Sequence, residues 1–315
     1  MPIKTLIPNT KPAAQARFAP FTLDFTFKKA FANEQCKDLL IFMLNTFLKR
    51  VLKKPIVDVK IIHTVQLGKT KRKRGAVFDI QCEDASGARF IVEMQVEEQE
   101  HFIKRSLFYL CMAVSNLAKK GKMESRGKKI PYDYNIPVVY TLSFLSFDSD
   151  FGKGCDEVIQ YISLSNELHP EVRYDIIRMV YVCLSRFDKT EGECESDLDR
   201  LLFTFKNAHK LTKRPKSFNK MVFKRLFEVA QISNFTDEEL MDYESEMKRF
   251  SDHANALAYA KKKGRMEGAL QGIKQGIAKG IIQAAKNMLA TGFSIADIIK
   301  ATNLSREQIK ALKRI

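Results

Sequence analysis

Nowhere does the sequence sustain the apolar run of about eighteen residues that a spanning helix requires, so its patterning excludes a helical membrane protein. The opening stretch MPIKTLIPNTKPAAQARFAP contains no compact apolar block of the signal-peptide kind, and the protein is expected in a cytoplasm. Its six cysteines, Cys36, Cys82, Cys111, Cys155, Cys183 and Cys194, form no CxxC pair and no short Cys/His spacing. That absence argues against a zinc module and a disulfide framework and leaves reduced thiols, mostly in the core. The five histidines are equally dispersed. Acid is the scarce charge: 37 Asp and Glu stand against 53 Lys and Arg, a net +16 over 315 residues.

Such an excess concerns partners rather than fold, and it points to polyanions. Its distribution is uneven. Lys49 to Arg74 holds ten basic residues against the single acid Asp58, Lys119 to Lys129 holds six against Glu124, and Lys206 to Arg225 holds eight with no acid. One such run is commonly a solvated face; three make nucleic acid the leading partner, because phosphate neutralisation dominates that affinity. The candidate phosphate contacts are Lys69, Lys71, Arg72, Lys73 and Arg74 in the first run and Lys213, Arg214 and Lys216 in the last. Charge alone does not separate DNA from RNA.

The apolar residues then give the organisation. Between Thr22 and Arg50, Phe27, Phe31, Leu39, Leu40, Met43, Leu44, Phe47 and Leu48 recur at helical steps, and Pro55 ends the pattern. IVDVKIIHTVQL is β-branched enough for a strand, the basic loop GKTKRKR follows, and RGAVFDIQCEDASGARFIVEMQ reads as a hairpin. Glu98 to Lys120 is helical by pattern, and IPVVYTLSFLSF has the unbroken apolarity of a strand buried on both faces. VRYDIIRMVYVCLSRF fits a last core strand slightly better than a helix; Leu198 to Lys210, Lys216 to Ser233 and Asp237 to Gly264 read as helices.

Near the carboxyl end, glycines recur every four residues at 264, 268, 272, 276 and 280. Each interior glycine costs a helix about 1 kcal/mol relative to alanine, so this segment either packs against a partner or frays as an arm. The final residues outline two short helices with Ser294 and Ser305 as N-caps. That is a helix-turn-helix outline, but without base-reading residues clearly at the front of the second helix an αα-hairpin used for packing is the better reading.

The hairpin carries the chemistry. With Ala85-Ser86-Gly87 as its loop and Gly87 left-handed, Asp84 pairs with Ala88, and counting back sets Asp79 opposite Glu93. Gln95 then lies on the same face, whereas Val92, Met94 and Val96 point away into a core. Two readings stand at this point. Alternating polar residues occur on any sheet with one wet face; equally, two carboxylates match Mg²⁺, which takes one or two protein carboxylates and fills its other positions with water and substrate phosphate.

The order helix, strand, Asp-bearing strand, Glu-x-Gln strand, helix resembles the PD-(D/E)XK nuclease core. DFTFKKAF, LLIFMLNTFL, FDI, DASG, FIVEMQ, FIKRSLFYLCMAVSNLAKKG, LLFTFKNAHKL and FEVAQISNFTDEELMDYE resemble the Rpn family of recombination-promoting nucleases and putative transposases. The resemblance implies an α/β fold: a mixed central sheet flanked by helices, followed by a helical C-terminal region. It sets out a lead over 1–20, a nuclease-like core over 21–190, a helical region over 191–262, and the glycine-stepped helix with its terminal hairpin over 263–315. It further implies a Mg²⁺-dependent endonuclease acting on DNA in recombination or transposition, with Asp79 and Glu93 as metal ligands. Gln95 stands where the name-giving motif has lysine, so the cationic help would come from Lys28, Lys104 or Arg105, and an assisting carboxylate from Asp24 or Glu34. The C-terminal helices are expected to join two subunits or to add a second DNA contact.

Overall fold

A computed structural model describes residues 17–62, 79–96, 101–125, 134–147 and 155–312. Its centre is a six-stranded mixed sheet made of β1 (Val59–Ile61), β2 (Ile80–Asp84), β3 (Arg89–Gln95), β4 (Val139–Leu145), β5 (Ile159–Ser165) and β6 (Arg173–Cys183). The strand order is β1-β2-β3-β4-β6-β5, with β1, β2 and β3 antiparallel, β3, β4 and β6 parallel, and β5 antiparallel to β6. All seven residues of β4 are buried, as its continuous apolarity predicts for a strand covered on both faces. β6 settles the VRYDIIRMVYVC segment as strand, and β5 is a strand that sequence patterning left unassigned.

Helices α1 (Asp24–Phe31), α2 (Lys37–Leu48), α4 (Asp197–Asn207) and α5 (Met221–Ala230) build one apolar core with Phe90, Val92, Met94, Leu142, Phe144, Val180 and Val182 of the sheet. Phe27, Phe47, Phe144 and Phe205 meet edge-on or stacked at its centre. Thus α4 and α5, although set apart in the sequence as a helical region, pack in the same core as the sheet. The opposite face carries α3 (Phe102–Ser125), whose Leu110 and Ala113 pack on Ile91 and Val139.

The helix expected over Thr22 to Arg50 is two helices. The Asn33 side chain accepts a hydrogen bond from the Gln35 N–H at 2.9 Å, and a 3₁₀ turn at Glu34–Cys36 interrupts the periodicity. A short amide that bonds its neighbouring backbone competes with the helix, and here it wins. The helix expected from Lys216 begins only at Met221, after a turn in which Phe218 is buried.

The chain divides into two compact units, Met1–Lys248 and Arg249–Ile315. Helix α6 (Asp237–Ala290) runs unbroken through the glycine-stepped segment, where every residue from 263 to 280 is exposed. A Cβ placed on any of Gly264, Gly268, Gly272, Gly276 or Gly280 would meet no atom within 4 Å. In the second unit α7 (Ile295–Thr302) and α8 (Arg306–Leu312) close on the end of α6 around Ala285, Ile298 and Ile309. Ser294 and Ser305 cap their helices by accepting the Asp297 and Gln308 N–H groups at 3.2 Å, and Asn303 takes the left-handed turn position at φ +56°. Among the described residues no helix is long and apolar enough to cross a membrane.

Candidate active site

Hairpin β2–β3 fixes the two central acids. Ile80 pairs with Val92, Gln81 with Ile91 and Cys82 with Phe90, so the next step of the ladder sets Asp79 against Glu93. The turn holds this register: the Asp84 N–H donates to the Ala88 carbonyl at 3.1 Å, the Asp84 carboxylate accepts from the Ser86 and Ala88 N–H groups at 2.9 and 3.0 Å, and Gly87 sits at φ +81°. A non-glycine residue resists that conformation, which explains the turn sequence. Asp79 itself lies one residue before β2, where the Met94 N–H donates to its Oδ2 at 2.7 Å and ties it to β3.

Glu93 is buried, with 8% of its surface exposed, and Asp79 is half-buried. Burial pushes the Asp79 carboxyl up to about 6, against the pull of the Met94 N–H; the neighbouring Asp24 carboxyl adds to the rise and the Lys28 ammonium opposes it. Burial pushes Glu93 up to about 7, the Asp79 charge raises it further, and the Arg105 guanidinium acts in the opposite direction. Two carboxyls that burial and mutual repulsion hold against ionisation form the electrostatic environment a divalent cation relieves.

Helix α1 contributes Asp24, whose carboxylate pairs with Lys28 at 2.8 Å one turn along. The end of α1 is anchored from α6: the buried Glu246 carboxylate accepts the Asp24 and Phe25 N–H groups at 2.8 and 2.9 Å. Helix α3 contributes Arg105, whose Nη2 donates to Oε1 of Gln95 at 3.4 Å. Arg105 therefore stands beside both Gln95 and Glu93. Lys104, its sequence neighbour, faces solvent, and Glu34 lies in the exposed 3₁₀ turn beside Lys37 at 3.9 Å. Of the assisting residues anticipated from sequence, Asp24, Lys28 and Arg105 come to the acid pair.

Two further polar groups extend the site. Glu93 pairs with Ser143 of β4, and Ser143 pairs with Tyr181 of β6. Ser143 and Tyr181 are buried, and the Tyr181 hydroxyl donates to Ser106 Oγ of α3 at 3.2 Å. Burial raises the Tyr181 phenol, the Ser106 hydrogen bond works against that rise, and the Glu93 charge reinforces it. Parallel pairing between distant strands assembles this row, and no local sequence signal encodes it.

Among the described residues no three His, Cys, Asp or Glu side chains gather into a complete metal cage. The donor set still fits Mg²⁺, which is held through one or two carboxylates and keeps several waters. Of the anticipated phosphate contacts, Lys69, Lys71, Arg72, Lys73 and Arg74 lie outside the described residues. Arg214 is turned inward, donating to the carbonyls of Pro215 (3.2 Å) and Phe218, whereas Lys213 and Lys216 are exposed.

No curated protein and no solved structure matches the chain. The family model described as PD-(D/E)XK nuclease family transposase matches residues 21–260, a span that takes in the sheet, α1 to α5 and the acid pair. With that much of its length inside the family pattern, the chain belongs to the PD-(D/E)XK nuclease family transposases.

Proposed function

We propose that the protein is a Mg²⁺-dependent endonuclease that cuts DNA with little sequence preference in recombination or transposition. The observation that carries the proposal is the adjacent cross-strand pair of half-buried Asp79 and buried Glu93, with both carboxyls raised well above the ordinary range. The two side chains would hold Mg²⁺ through their oxygens. When bound, such an ion lowers the pKa of water and neutralises charge developing on phosphate.

The remaining work falls to the chain's own groups. Met94 N–H fixes the Asp79 carboxylate, so one ligand is preorganised by backbone. Gln95 points one carboxamide oxygen at Arg105, which leaves its NH₂ group as a donor to a water or a phosphate oxygen. Arg105 supplies the positive charge that a lysine at position 95 would have brought, one helix removed. Contacts from exposed lysines such as Lys213 and Lys216 hold the backbone without reading bases, which accounts for low specificity.

A plasmid nicking assay with Mg²⁺ tests this reading. Nicking by the wild type that Asp79→Asn and Glu93→Gln each abolish is the expected result; nicking retained in both variants would sink it. A second reading has one observation in its favour, the absence of lysine at Gln95: a nucleic-acid-binding, self-associating protein that keeps the fold with little turnover. DNA binding without cleavage in any divalent metal would select it, and competition with RNA across a salt series identifies the preferred nucleic acid.

Self-association belongs to the same proposal. Met266, Leu270, Ile273 and Ile277 are spaced by four, three and four residues along α6 and are 58–60% exposed, an apolar seam of coiled-coil spacing. A dimer joined there would let two single-strand cuts become one double-strand break. A cytoplasmic location is likewise proposed, supported by six cysteines that form no disulfide.

A further inference from the structure

The β5 edge of the sheet carries a feature that the acid pair does not use. A groove of about 610 Å³ runs along the consecutive residues Ile159 to Ser163 and is walled by Arg50 and Val51, just beyond α2, and by Arg173 and Arg178 of β6. Its lining holds three arginines against one carboxylate, Glu157.

An irregularity in the sheet assembles the arginines. Ser163 pairs with Arg178 and Leu164 with Tyr174, so the β5/β6 register slips between two successive β5 residues. Arg173 and Arg178, five apart in sequence, thereby take partners Ser165 and Ser163, only two apart. Bulges of this kind redirect side chains and are kept for a purpose rather than being defects. Asp175, within the slipped segment, pairs with Arg178 and with Lys53 at 2.7 Å, which fixes the Arg178 guanidinium at the groove. Arg50 is placed by its contact with the Tyr161 ring, 5.5 Å from the centroid, and the Tyr161 hydroxyl in turn donates to the Phe47 carbonyl at 3.3 Å.

The groove lies on the strand three places from Glu93 in the same sheet. Glu93 pairs with Ser143, Ser143 with Tyr181, and Tyr181 with Gln160 of the groove wall. At about 4.8 Å per strand this places the groove wall roughly 14 Å from Glu93; Ser143 and Tyr181 between them are buried beneath α3, so the pairing gives the separation of the two sites and not the path of a bound strand.

We infer that the arginine-lined groove along β5 is a nucleic-acid backbone site, in which Arg50, Arg173 and Arg178 hold phosphates of the strand whose cleavage point lies at Asp79 and Glu93. Planar guanidinium groups match phosphate oxygens in paired hydrogen bonds, a geometry lysine does not supply. The inference rests on the nuclease reading for its substrate and adds where the backbone runs.

Binding of a short fluorescein-labelled DNA duplex, followed by anisotropy in EDTA across a salt series, tests it without cleavage. Arg50→Gln/Arg173→Gln is expected to weaken binding about 10-fold at moderate salt and to lower the slope of log K against log salt by about 2, one counterion for each lost phosphate contact. Ser163→Asp leaves the arginines in place and adds a negative charge; it is expected to weaken binding as well. Asp79→Asn, defective in nicking, is expected to keep the wild-type slope. Wild-type binding with an unchanged slope in the double variant overturns the groove and leaves the nuclease reading standing. Failure of the wild type to bind any duplex overturns both. Polyglutamate that competes as strongly as DNA, with the same loss in the variants, reassigns the groove to an acidic protein.

Discussion

Glu246 on α6 accepts the backbone N–H groups of both Asp24 and Phe25, residues more than 220 positions earlier in the chain. A buried carboxylate on the first turn of α1 satisfies donors that no helix can pair internally and complements the positive end of the helix dipole. Because α1 carries Asp24 to the edge of the acid pair, this contact also positions Asp24 beside Asp79. Glu246→Ala is expected to cost about 2–4 kcal/mol in chemical denaturation, the range for two charge-assisted hydrogen bonds with the donors left buried. Glu246→Gln, which keeps one acceptor, should cost about half as much on the same basis. Faster amide exchange confined to α1 would locate the effect.

The raised carboxyls make stability fall as pH rises. Asp79 and Glu93 titrate near 6 and 7 in the folded chain and near their ordinary values of 3.8 and 4.5 when unfolded. Between those limits the native state holds more protons than the unfolded state, so deprotonation favours unfolding. Metal-free protein is therefore expected to be more stable at pH 5 than at pH 8, by a few kcal/mol at about 1.4 kcal/mol per pKa unit. In Asp79→Asn/Glu93→Gln this part of the pH dependence should vanish, and the double variant should melt above the wild type at pH 8. Equal slopes in urea titrations of the two proteins across this range would contradict the electrostatic account.

Much of the hairpin was legible because its determinants are local. The DASG turn, the need for a left-handed residue at Gly87 and the two-residue alternation together count Asp79 onto Glu93, and the ladder has that register. Strand β4 was legible from unbroken apolarity for the same reason. What could not be read is non-local. Strand β5 is a half-exposed outermost strand whose IQYISLS pattern breaks the two-residue alternation at Tyr161-Ile162, and its partner β6 follows after an intervening turn. Ser143 and Tyr181 join Glu93 only through parallel pairing. The break at Asn33 turns on one side-chain hydrogen bond, too small to disturb the apolar spacing around it. The acid-free basic run over Lys206 to Arg225 looked like a polyanion surface, yet Lys206, Arg214 and Arg225 spend their charge on internal carbonyls and on Asp38.

Metal affinity should follow the same protons in the opposite sense. A cation displaces protons from carboxyls that titrate near 6 and 7, so Mg²⁺ binding is expected to strengthen steadily from pH 5.5 to pH 8. Calorimetry in buffers of different ionisation enthalpy would show protons released on binding at pH 6 and few at pH 8. Arg105 modulates this directly, since its charge acts to lower Glu93. Arg105→Ala should move the pH profile of nicking towards higher pH and reduce its plateau by about 10–100-fold, the scale of losing a group that supports a metal ligand from behind. Arg105→Lys should restore part of both. A plateau that drops with no shift in the profile would reduce Arg105 to a packing residue.

The exposed seam on α6 gives the last prediction. A helix carrying glycine at five positions forfeits about 1 kcal/mol at each relative to alanine, and isolated helices in water are marginal even without that loss. In the self-association proposed above, a second helix along the seam would cover Met266, Leu270, Ile273 and Ile277, which are turned to solvent, and offset the glycine cost from Gly264 to Gly280. Gly280, three residues past Ile277, continues the seam's spacing, and its missing side chain would let that helix approach closely there. Wild-type protein is expected to sediment as a dimer at micromolar concentration, and Leu270→Lys/Ile277→Lys as a monomer with weakened helical circular dichroism. Gly280→Ala separates the two contributions, because alanine strengthens the isolated helix and adds a methyl group at the seam position three residues past Ile277. If it raises helicity yet lowers dimer affinity, close backbone approach holds the pair; if both rise together, the apolar seam alone does so.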